Sequence, residues 1–354
     1  MRRKSINSVK GNEVLAKDVY GTTDTILMVS GMILKKEYIE RLKQLNVDYV
    51  YVEDSYPGQG SGQETIEQRI RGHCQNAIES IYERYSYCGN VELKELTSIA
   101  YQVILEVLKE PNVLFNIENI RQEHETVYTH SLNVCALAVL VGLKMGLEKS
   151  QIEDIAIGSL IHDIGYLYLE VPGVLENFSH SLEDKNMRMI KKHVVFGYTE
   201  VEDETWLSKK AKNIILSHHE YYDGSGYPLR LSGDDIDIET KVVTVCNDFE
   251  RLVNGKASAL MKSHEAVEFV ISQSGRRYDP VVVNAFSSSV ARYPNGTNIV
   301  TSKGETGIVI AQNIDFPTRP IIRILCDSNG RKLEHPIEKN LVDELTLFIE
   351  EITE

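Results

Sequence analysis

The spacing of apolar residues changes twice along the chain. Residues 1–55 contain short apolar runs, such as Thr25–Val29 and Val47–Val52, on either side of a segment from Lys35 to Leu45 whose apolar positions recur at helical spacing. This pattern predicts a small α+β module. Residues 56–63 are rich in turn-forming residues and poor in apolar ones, which indicates a linker.

From residue 64 to residue 290 the apolar positions follow a helical period almost throughout, with one stripe from Val127 to Val141 and another from Ile152 to Leu160. Buried stripes of this kind predict a helical bundle. Residues 291–354 hold alternating apolar segments separated by turn formers, which favours a small β-rich module, with a helix predicted over 341–352. The expected fold class is multidomain and mainly α, a helical bundle with a small α+β N-terminal module and a small β-rich C-terminal module.

The composition limits the classes of function. The 354 residues are 42% hydrophobic and 25% charged, with a formal net charge of −14. Such acidity opposes nucleic-acid binding, because that affinity comes mostly from Lys and Arg releasing counterions. The five cysteines show no Cys-x-x-Cys spacing, and no segment approaches the ~20 apolar residues of a membrane span. We therefore expect a cytoplasmic protein with no nucleic-acid partner and no membrane anchor, and the sequence leaves a homodimer open.

Five of the ten histidines lie where the helical pattern turns them inward: His130, His162, His193, His218 and His219. A single histidine on an apolar face is more often a core residue with satisfied hydrogen bonds than a ligand. His162-Asp163 alone fits a helix cap with an ion pair as well as it fits a metal pair. The joint occurrence favours a metal site, because one site explains all five histidines, and imidazole and carboxylate are the ligands that hold Zn, Fe or Mn at hydrolytic centres.

Four segments, taken in order, resemble the HD-GYP family of the HD-superfamily metal-dependent phosphohydrolases. They are His162-Asp163-Ile164-Gly165, Lys192-His193 with Gly197, His218-His219-Glu220 with Asp223-Gly224-Ser225-Gly226-Tyr227-Pro228, and Tyr278-Asp279-Pro280. The resemblance spans roughly residues 120–290. It implies an all-helical HD-type domain, a centre of two or three metal ions, usually Fe or Mn, and hydrolysis of the bacterial second messenger cyclic di-GMP.

The resemblance also assigns roles to individual residues. The implied metal ligands are His130, His162, Asp163, His193, His218, His219 and Asn247, with Asp163 bridging two divalent ions. Asp163 and Tyr166 are the candidate catalytic residues. The implied substrate-binding residues are Gly226, Tyr227, Pro228 and Lys256. Thr126 stands where three-metal members carry glutamate, so a third ion is not expected.

The chain departs from the family's pattern at substrate-facing and metal-facing positions. Asn247 replaces a ligating aspartate, so it brings no charge to the ion shared with His130 and His162. Tyr166 replaces a lysine and removes a phosphate-facing cation. The segment from Lys256 to Ala259 replaces an arginine-rich stretch, and lysine cannot make the same bidentate phosphate contact. The second metal site, with Asp163 and its three histidines, remains complete.

Two functions of different class follow. The first is a metal-dependent phosphodiesterase that hydrolyses cyclic di-GMP through a metal-bridged hydroxide. The alternative is a catalytically degenerate HD-GYP protein that acts as a nucleotide- or metal-dependent receptor or scaffold in bacterial signalling. Because the altered residues face the substrate, hydrolysis of another small phosphoester also stays open.

Overall fold

The computed structural model describes residues 2–353 except for 7, 8, 10, 12, 17, 18, 21–25, 30, 46, 48, 53–65, 89–92, 111–113, 116–125, 170–183 and 255–260. The predicted linker at 56–63 therefore lies outside the described residues. The chain divides into two compact units, residues 64–292 and residues 1–63 with 293–354.

The described part of the N-terminal segment contains short strands and one helix. These elements are β1 (Arg2–Ser5), β2 (Val19–Tyr20), β3 (Ile26–Met28), α1 (Lys36–Gln44) and β4 (Tyr49–Val52). β1 pairs antiparallel with β4, and β2 pairs antiparallel with β3. Val50 and Val52 alternate with more exposed tyrosines along β4, so the period of two places both valines in a small apolar core.

The central unit is helical. Its helices are α2 (Ile66–Cys88), α3 (Leu96–Lys109), α4 (Val127–Lys144), α5 (Lys149–Ile161), α6 (Asp184–Ile190), α7 (His193–Val201), α8 (Lys209–Ser217), α9 (Ile238–Asn254), α10 (Ser263–Ser272) and α11 (Pro280–Ser287). Short 3-10 helices cover Leu93–Glu95, Ile164–Tyr168 and Gly233–Asp235. The prediction of a mainly helical domain is confirmed.

Helix α4 lies at the centre of this bundle and packs against α2, α3, α5, α9 and α11. Its residues from Thr129 to Gly142 are all buried, which suits a helix surrounded by others. Within the described residues it alone has the length and apolar composition to cross a membrane, but 83% of that stretch is buried inside the protein. Such burial is what the central helix of a bundle requires.

The C-terminal segment contains five strands, β5 (Asn298–Thr301), β6 (Thr306–Ala311), β7 (Ile321–Cys326), β8 (Lys332–Asn340) and β9 (Ile349–Thr353). They form one antiparallel sheet in the order β8-β7-β6-β5-β9, which confirms the β-rich module. Gly307 of β6 pairs with Ile324 of β7, and an added Cβ there would approach the Arg323 carbonyl oxygen to 2.4 Å. The close approach of these two strands therefore requires glycine at this position.

The helix predicted over 341–352 is wrong. The end of that segment forms β9, in which Ile352 pairs with Ile299 of β5. Before β9, the guanidinium of Arg319 donates to the carbonyl oxygens of Leu341 and Leu347 at 3.3 Å and 3.0 Å. Those carbonyls accept from a distant side chain and the strand pairs with the sheet, so tertiary contacts override the local helical spacing.

Candidate metal centre

Five helix segments bring the candidate ligands together. His130 lies in α4, His162 and Asp163 follow the end of α5, His193 begins α7, His218 and His219 follow α8, and Asn247 lies in α9. All seven side chains are buried. The structure therefore gathers every candidate ligand that the sequence analysis named.

The carboxylate of Asp163 stands between two groups of histidines. Its Oδ1 lies 3.3 Å from Nε2 of His193 and 3.4 Å from Nε2 of His218. Its Oδ2 lies 3.2 Å from Nε2 of His162 and 3.6 Å from Nε2 of His130. Each oxygen faces a different group, which is the arrangement a bridging carboxylate needs.

Two sets of ligand atoms follow from this arrangement. We call Asp163, His193, His218 and His219 the four-ligand half, and His130, His162 and Asp163 the three-ligand half. Within each set the ligand atoms lie within 4.8 Å of one another. Buried imidazole and carboxylate groups at this spacing form a donor set that suits Fe, Mn or Zn.

Hydrogen bonds to the backbone orient the imidazole rings. Nδ1 of His193 donates to the Ile190 carbonyl oxygen at 2.7 Å, and Nδ1 of His218 donates to the Ile214 and Ile215 carbonyl oxygens at 3.1 Å each. In the neutral rings this leaves a lone pair on each Nε2, yet the two Nε2 atoms lie only 3.3 Å apart. Two buried lone pairs at that distance call for a cation between them.

Three further buried polar atoms at the centre have no hydrogen-bond partner within the described residues. Nε2 of His162, Nε2 of His219 and Oδ1 of Asp163 make no hydrogen bond within the described part of the chain. An unsatisfied buried polar atom costs roughly 1–3 kcal/mol, so several around one point are expensive unless an ion satisfies them. The residues present therefore fit a metal centre.

The protonation states also suit metal binding. Burial lowers the pKa of His218 to about 3 and holds the pKa of His219 well below its usual range. Burial alone would raise the pKa of Asp163, but the neighbouring imidazole of His162 and guanidinium of Arg251 hold it well below the usual range. Neutral imidazole and ionised carboxylate are the forms that bind metals.

Two glycines allow α7 to approach the end of α5. An added Cβ on Gly165 would lie 1.8 Å from the His193 carbonyl oxygen and 2.6 Å from the Gly197 nitrogen. The turn after His162-Asp163 therefore packs directly on the backbone of α7. This contact brings the His193 ring to Asp163.

The loop after His219 covers the four-ligand half. The Tyr227 ring stacks on the His219 ring, with centroids 4.8 Å apart and planes at 20°. Gly226 is buried, and an added Cβ there would lie 2.4 Å from the Glu220 Cα. Pro228 follows Tyr227 at the partly buried edge of the loop.

Glu220 anchors this loop. Its buried carboxylate accepts hydrogen bonds from the backbone N–H groups of Leu229, Arg230 and Leu231 at 2.6, 2.9 and 3.1 Å. Burial raises the pKa of Glu220, and these three donors oppose that shift. The His-His-Glu run thus combines two candidate ligands with the residue that holds the neighbouring loop.

The three-ligand half has fewer negatively charged groups than a site with a carboxylate at position 247 would have. Asn247 places Oδ1 at 2.9 Å from Nε2 of His130, and its Nδ2 makes no hydrogen bond within the described residues. Nδ1 of His130 lies 2.5 Å from Oε2 of Glu250. The adjacent Asp248 points away and accepts a hydrogen bond from the Tyr278 hydroxyl at 2.8 Å. Asn247 therefore reaches this half only as a neutral amide.

Tyr166 lies beside the centre rather than among the ligands. Its buried ring stacks on the His193 ring with centroids 4.3 Å apart. Burial raises the pKa of the Tyr166 hydroxyl, while the neighbouring Arg251 opposes that shift. Lys256, the last candidate substrate-binding residue, lies outside the described residues.

Sequence reasoning missed two residues of α9. Nη2 of Arg251 lies 3.0 Å from Oδ2 of Asp163, and Glu250 holds the His130 ring. Both follow Asn247 by one helical turn, three and four residues later, and so share its face of α9. That spacing is the signal that could have identified them.

Two segments of the chain match known families. Residues 112–282 match the family described as HD domain, and residues 299–354 match the KOW domain associated with HD domain. Among solved structures, the chain is similar to Bd1817, an HDG"Y"P protein from Bdellovibrio bacteriovorus, with a TM-score of 0.53 and 19% identity over 80% of this chain and 97% of that one. At this identity the likeness concerns the fold alone.

The chain also resembles curated phosphodiesterases. It is 24% identical over 269 residues to the cyclic di-GMP phosphodiesterase PA4108 of Pseudomonas aeruginosa, which covers 75% of this chain and 63% of that protein. It is 31% identical over 140 residues to the 3'3'-cGAMP-specific phosphodiesterase 2 of Vibrio cholerae, which covers 39% of this chain and 26% of that protein. The chain thus spans less than two thirds of the length of either relative.

Proposed function

We propose that the chain is a member of the HD-GYP family within the HD superfamily and a metal-dependent phosphodiesterase that hydrolyses cyclic di-GMP. The observation that carries the proposal is the position of Asp163. Its two carboxylate oxygens face separate groups of buried histidines, and among these Nε2 of His162 makes no hydrogen bond within the described residues. The two named relatives act on cyclic dinucleotides, which supports a substrate of that class.

The proposed cofactors are two divalent ions, Fe or Mn, one for each half of the centre. Bound there, they would lower the pKa of a water and neutralise charge that develops on the phosphodiester. The four-ligand half offers three histidines and one oxygen of Asp163. The three-ligand half offers two histidines and the other oxygen, with the neutral Asn247 beside them.

The chain's own residues would orient the centre and shield it from water. Backbone carbonyl oxygens fix the rings of His162, His193 and His218 through their Nδ1 atoms. Tyr227 covers His219 on one side, and the loop that contains it is tied to Glu220. We propose that this loop, with Gly226, Tyr227 and Pro228, lines the substrate entrance. A contact between Lys256 and the substrate stays a prediction.

The test is an anaerobic assay of the purified protein loaded with Fe(II) or Mn(II), with cyclic di-GMP and 3'3'-cGAMP as substrates. The control pair is Asp163→Ala, which removes the bridge, and Asp203→Ala, which removes an exposed carboxylate after α7. We expect hydrolysis of cyclic di-GMP that Asp163→Ala abolishes and Asp203→Ala retains. Hydrolysis of 3'3'-cGAMP alone would move the proposal to that substrate.

A receptor or scaffold is the second candidate function. The observation in its favour is that Asn247 brings no charge, while the guanidinium of Arg251 pairs with the carboxylate that should bridge two ions. Two-metal hydrolysis depends on both ions. Metal-loaded protein that binds cyclic di-GMP without turnover would select this function over the hydrolase.

A further inference from the structure

Arg251 is the one residue of the described centre that brings a permanent positive charge to the bridging carboxylate. Its side chain is only 11% exposed, and Nη2 lies 3.0 Å from Oδ2 of Asp163. The hydroxyls of Tyr166 and Tyr227 and the carboxyl of Asp248 also lie within its electrostatic reach. Since a guanidinium does not lose its proton in proteins, this charge is present at every physiological pH.

The ion pair between Arg251 and Asp163 involves only the carboxylate oxygen that faces the three-ligand half. Oδ1 of Asp163, which faces the four-ligand half, makes no hydrogen bond within the described residues. Oδ2, which faces His130 and His162, accepts the hydrogen bond from Arg251. The oxygen that the three-ligand half needs is therefore the one that the guanidinium already holds.

The rest of the three-ligand half does not compensate for this. Nε2 of His130 lies 2.9 Å from Oδ1 of Asn247, so an ion there would find a neutral amide where a carboxylate would add charge. The Glu250 carboxylate faces Nδ1 of His130 and also accepts from Asn133 Nδ2 at 2.9 Å, on the far side of the imidazole ring. A divalent ion in this half would lie close to a fixed cation and share its only carboxylate oxygen with that cation.

We infer that Arg251 is a built-in cation of the centre, which holds Oδ2 of Asp163 and weakens divalent-ion binding in the three-ligand half. The four-ligand half binds one ion tightly. The guanidinium balances the negative charge on Oδ2 that a second ion would otherwise balance. This inference rests on the proposed metal-dependent function and specifies that, of its two proposed ions, the one in the four-ligand half is held tightly and the one in the three-ligand half weakly. Arg251 is a positioning residue here, because it acts through Asp163.

The test is a count of bound Mn(II), by elemental analysis after removal of loosely bound ions and by calorimetric titration. The protein is compared with Arg251→Gln, which removes the charge and keeps a hydrogen-bond donor, and with Arg251→Lys, which keeps the charge. Arg292→Gln removes an arginine that pairs with Glu268, away from the centre, and serves as the matched control. Arg251→Ala provides a second neutral variant, and thermal melting confirms that each variant is folded.

We expect one tight ion per chain in the unchanged protein, in Arg251→Lys and in Arg292→Gln. In Arg251→Gln a second ion should bind at least about tenfold more tightly than in the unchanged protein. Electron paramagnetic resonance should then show coupled Mn(II) pairs. Adding His130→Ala to Arg251→Gln should remove the second ion and leave the first, which would place the gain in the three-ligand half.

The inference is overturned if the unchanged protein binds two ions of similar affinity, or if both neutral variants still bind one. Either result leaves the phosphodiesterase proposal intact, because metal binding itself persists. Absence of any bound ion in all variants would instead contradict the proposed metal-dependent function. The two failures are therefore distinguishable in the same titration.

Discussion

Replacing Asn247 with aspartate should make the stability of the protein depend more strongly on divalent metal. The side chain is buried, and its Oδ1 lies 2.9 Å from Nε2 of His130. Without metal, a further buried carboxylate beside Asp163 and Glu250 should cost about 2–3 kcal/mol, because the nearby charges compensate it only in part. For a helical unit of this size, each kcal/mol corresponds to roughly 2–4 °C, so Asn247→Asp in EDTA should melt about 4–12 °C lower.

With metal the difference in melting temperature should become small. The new carboxylate completes the three-ligand half, and an ion present at 100 times its Kd stabilises the folded state by about 2.7 kcal/mol. Melting curves in EDTA and in Mn(II), followed by circular dichroism, should therefore show the deficit closing in Mn(II). The unchanged protein should gain only the contribution of the four-ligand half.

A matched control separates ion binding from the general cost of a buried charge. Asn133 is also buried, lies one turn after His130 in α4, and donates to Glu250 on the side of the ring away from the ligand atoms. Asn133→Asp should lower the melting temperature in EDTA, and the melting temperature of this variant should stay low in Mn(II). Our reasoning about the three-ligand half is refuted if Asn247→Asp shows the same deficit in EDTA and in Mn(II).

Three further changes test the surroundings of the centre. Tyr166→Phe keeps the ring stacked on His193 but removes the hydroxyl, so kcat for cyclic di-GMP should fall while metal content and KM stay unchanged; an unchanged kcat would remove Tyr166 from the catalytic residues. Glu220→Ala leaves three backbone donors without their acceptor, and at about 1–3 kcal/mol per buried group the loop should loosen, with faster amide exchange and a higher KM but retained metal. Gly165→Ala brings Cβ against the His193 carbonyl oxygen, so soluble yield and melting temperature should drop sharply; a well-folded variant with full metal content would contradict the close packing derived for this turn.

The charge arrangement of the centre links these expectations. Asn247 removes one negative charge from the three-ligand half, and Arg251 adds one positive charge beside it. Asn247 and Arg251 both act on the three-ligand half, whereas the four-ligand half keeps all of its candidate ligands. The proposed phosphodiester substrate carries negative charge, so a guanidinium beside the carboxylate would partly replace the charge that a second ion would supply.

The sequence by itself determined the helical unit and the β-rich end of the chain, and it named candidate ligands for the centre. Local patterns suffice for the two folds because the helical and strand periods follow from side-chain spacing, whereas the candidate ligands came from the joint occurrence of five histidines and the resemblance to a family. The domain boundaries at 55, 63 and 290, and the roles of the individual site residues, stay predictions.

Only the tertiary structure decided how those residues meet. The spacing of apolar residues over 341–352 indicates a helix. Ile349–Thr353 instead form a strand that pairs with β5, because pairing with an existing sheet edge outweighs the local preference. Likewise, the spacing from Asn247 places Arg251 on the face of α9 that carries Asn247, but it does not predict that the guanidinium reaches Oδ2 of Asp163, 88 positions earlier. That contact depends on how α5 and α9 pack in the bundle, and packing is set by the whole core rather than by any one segment.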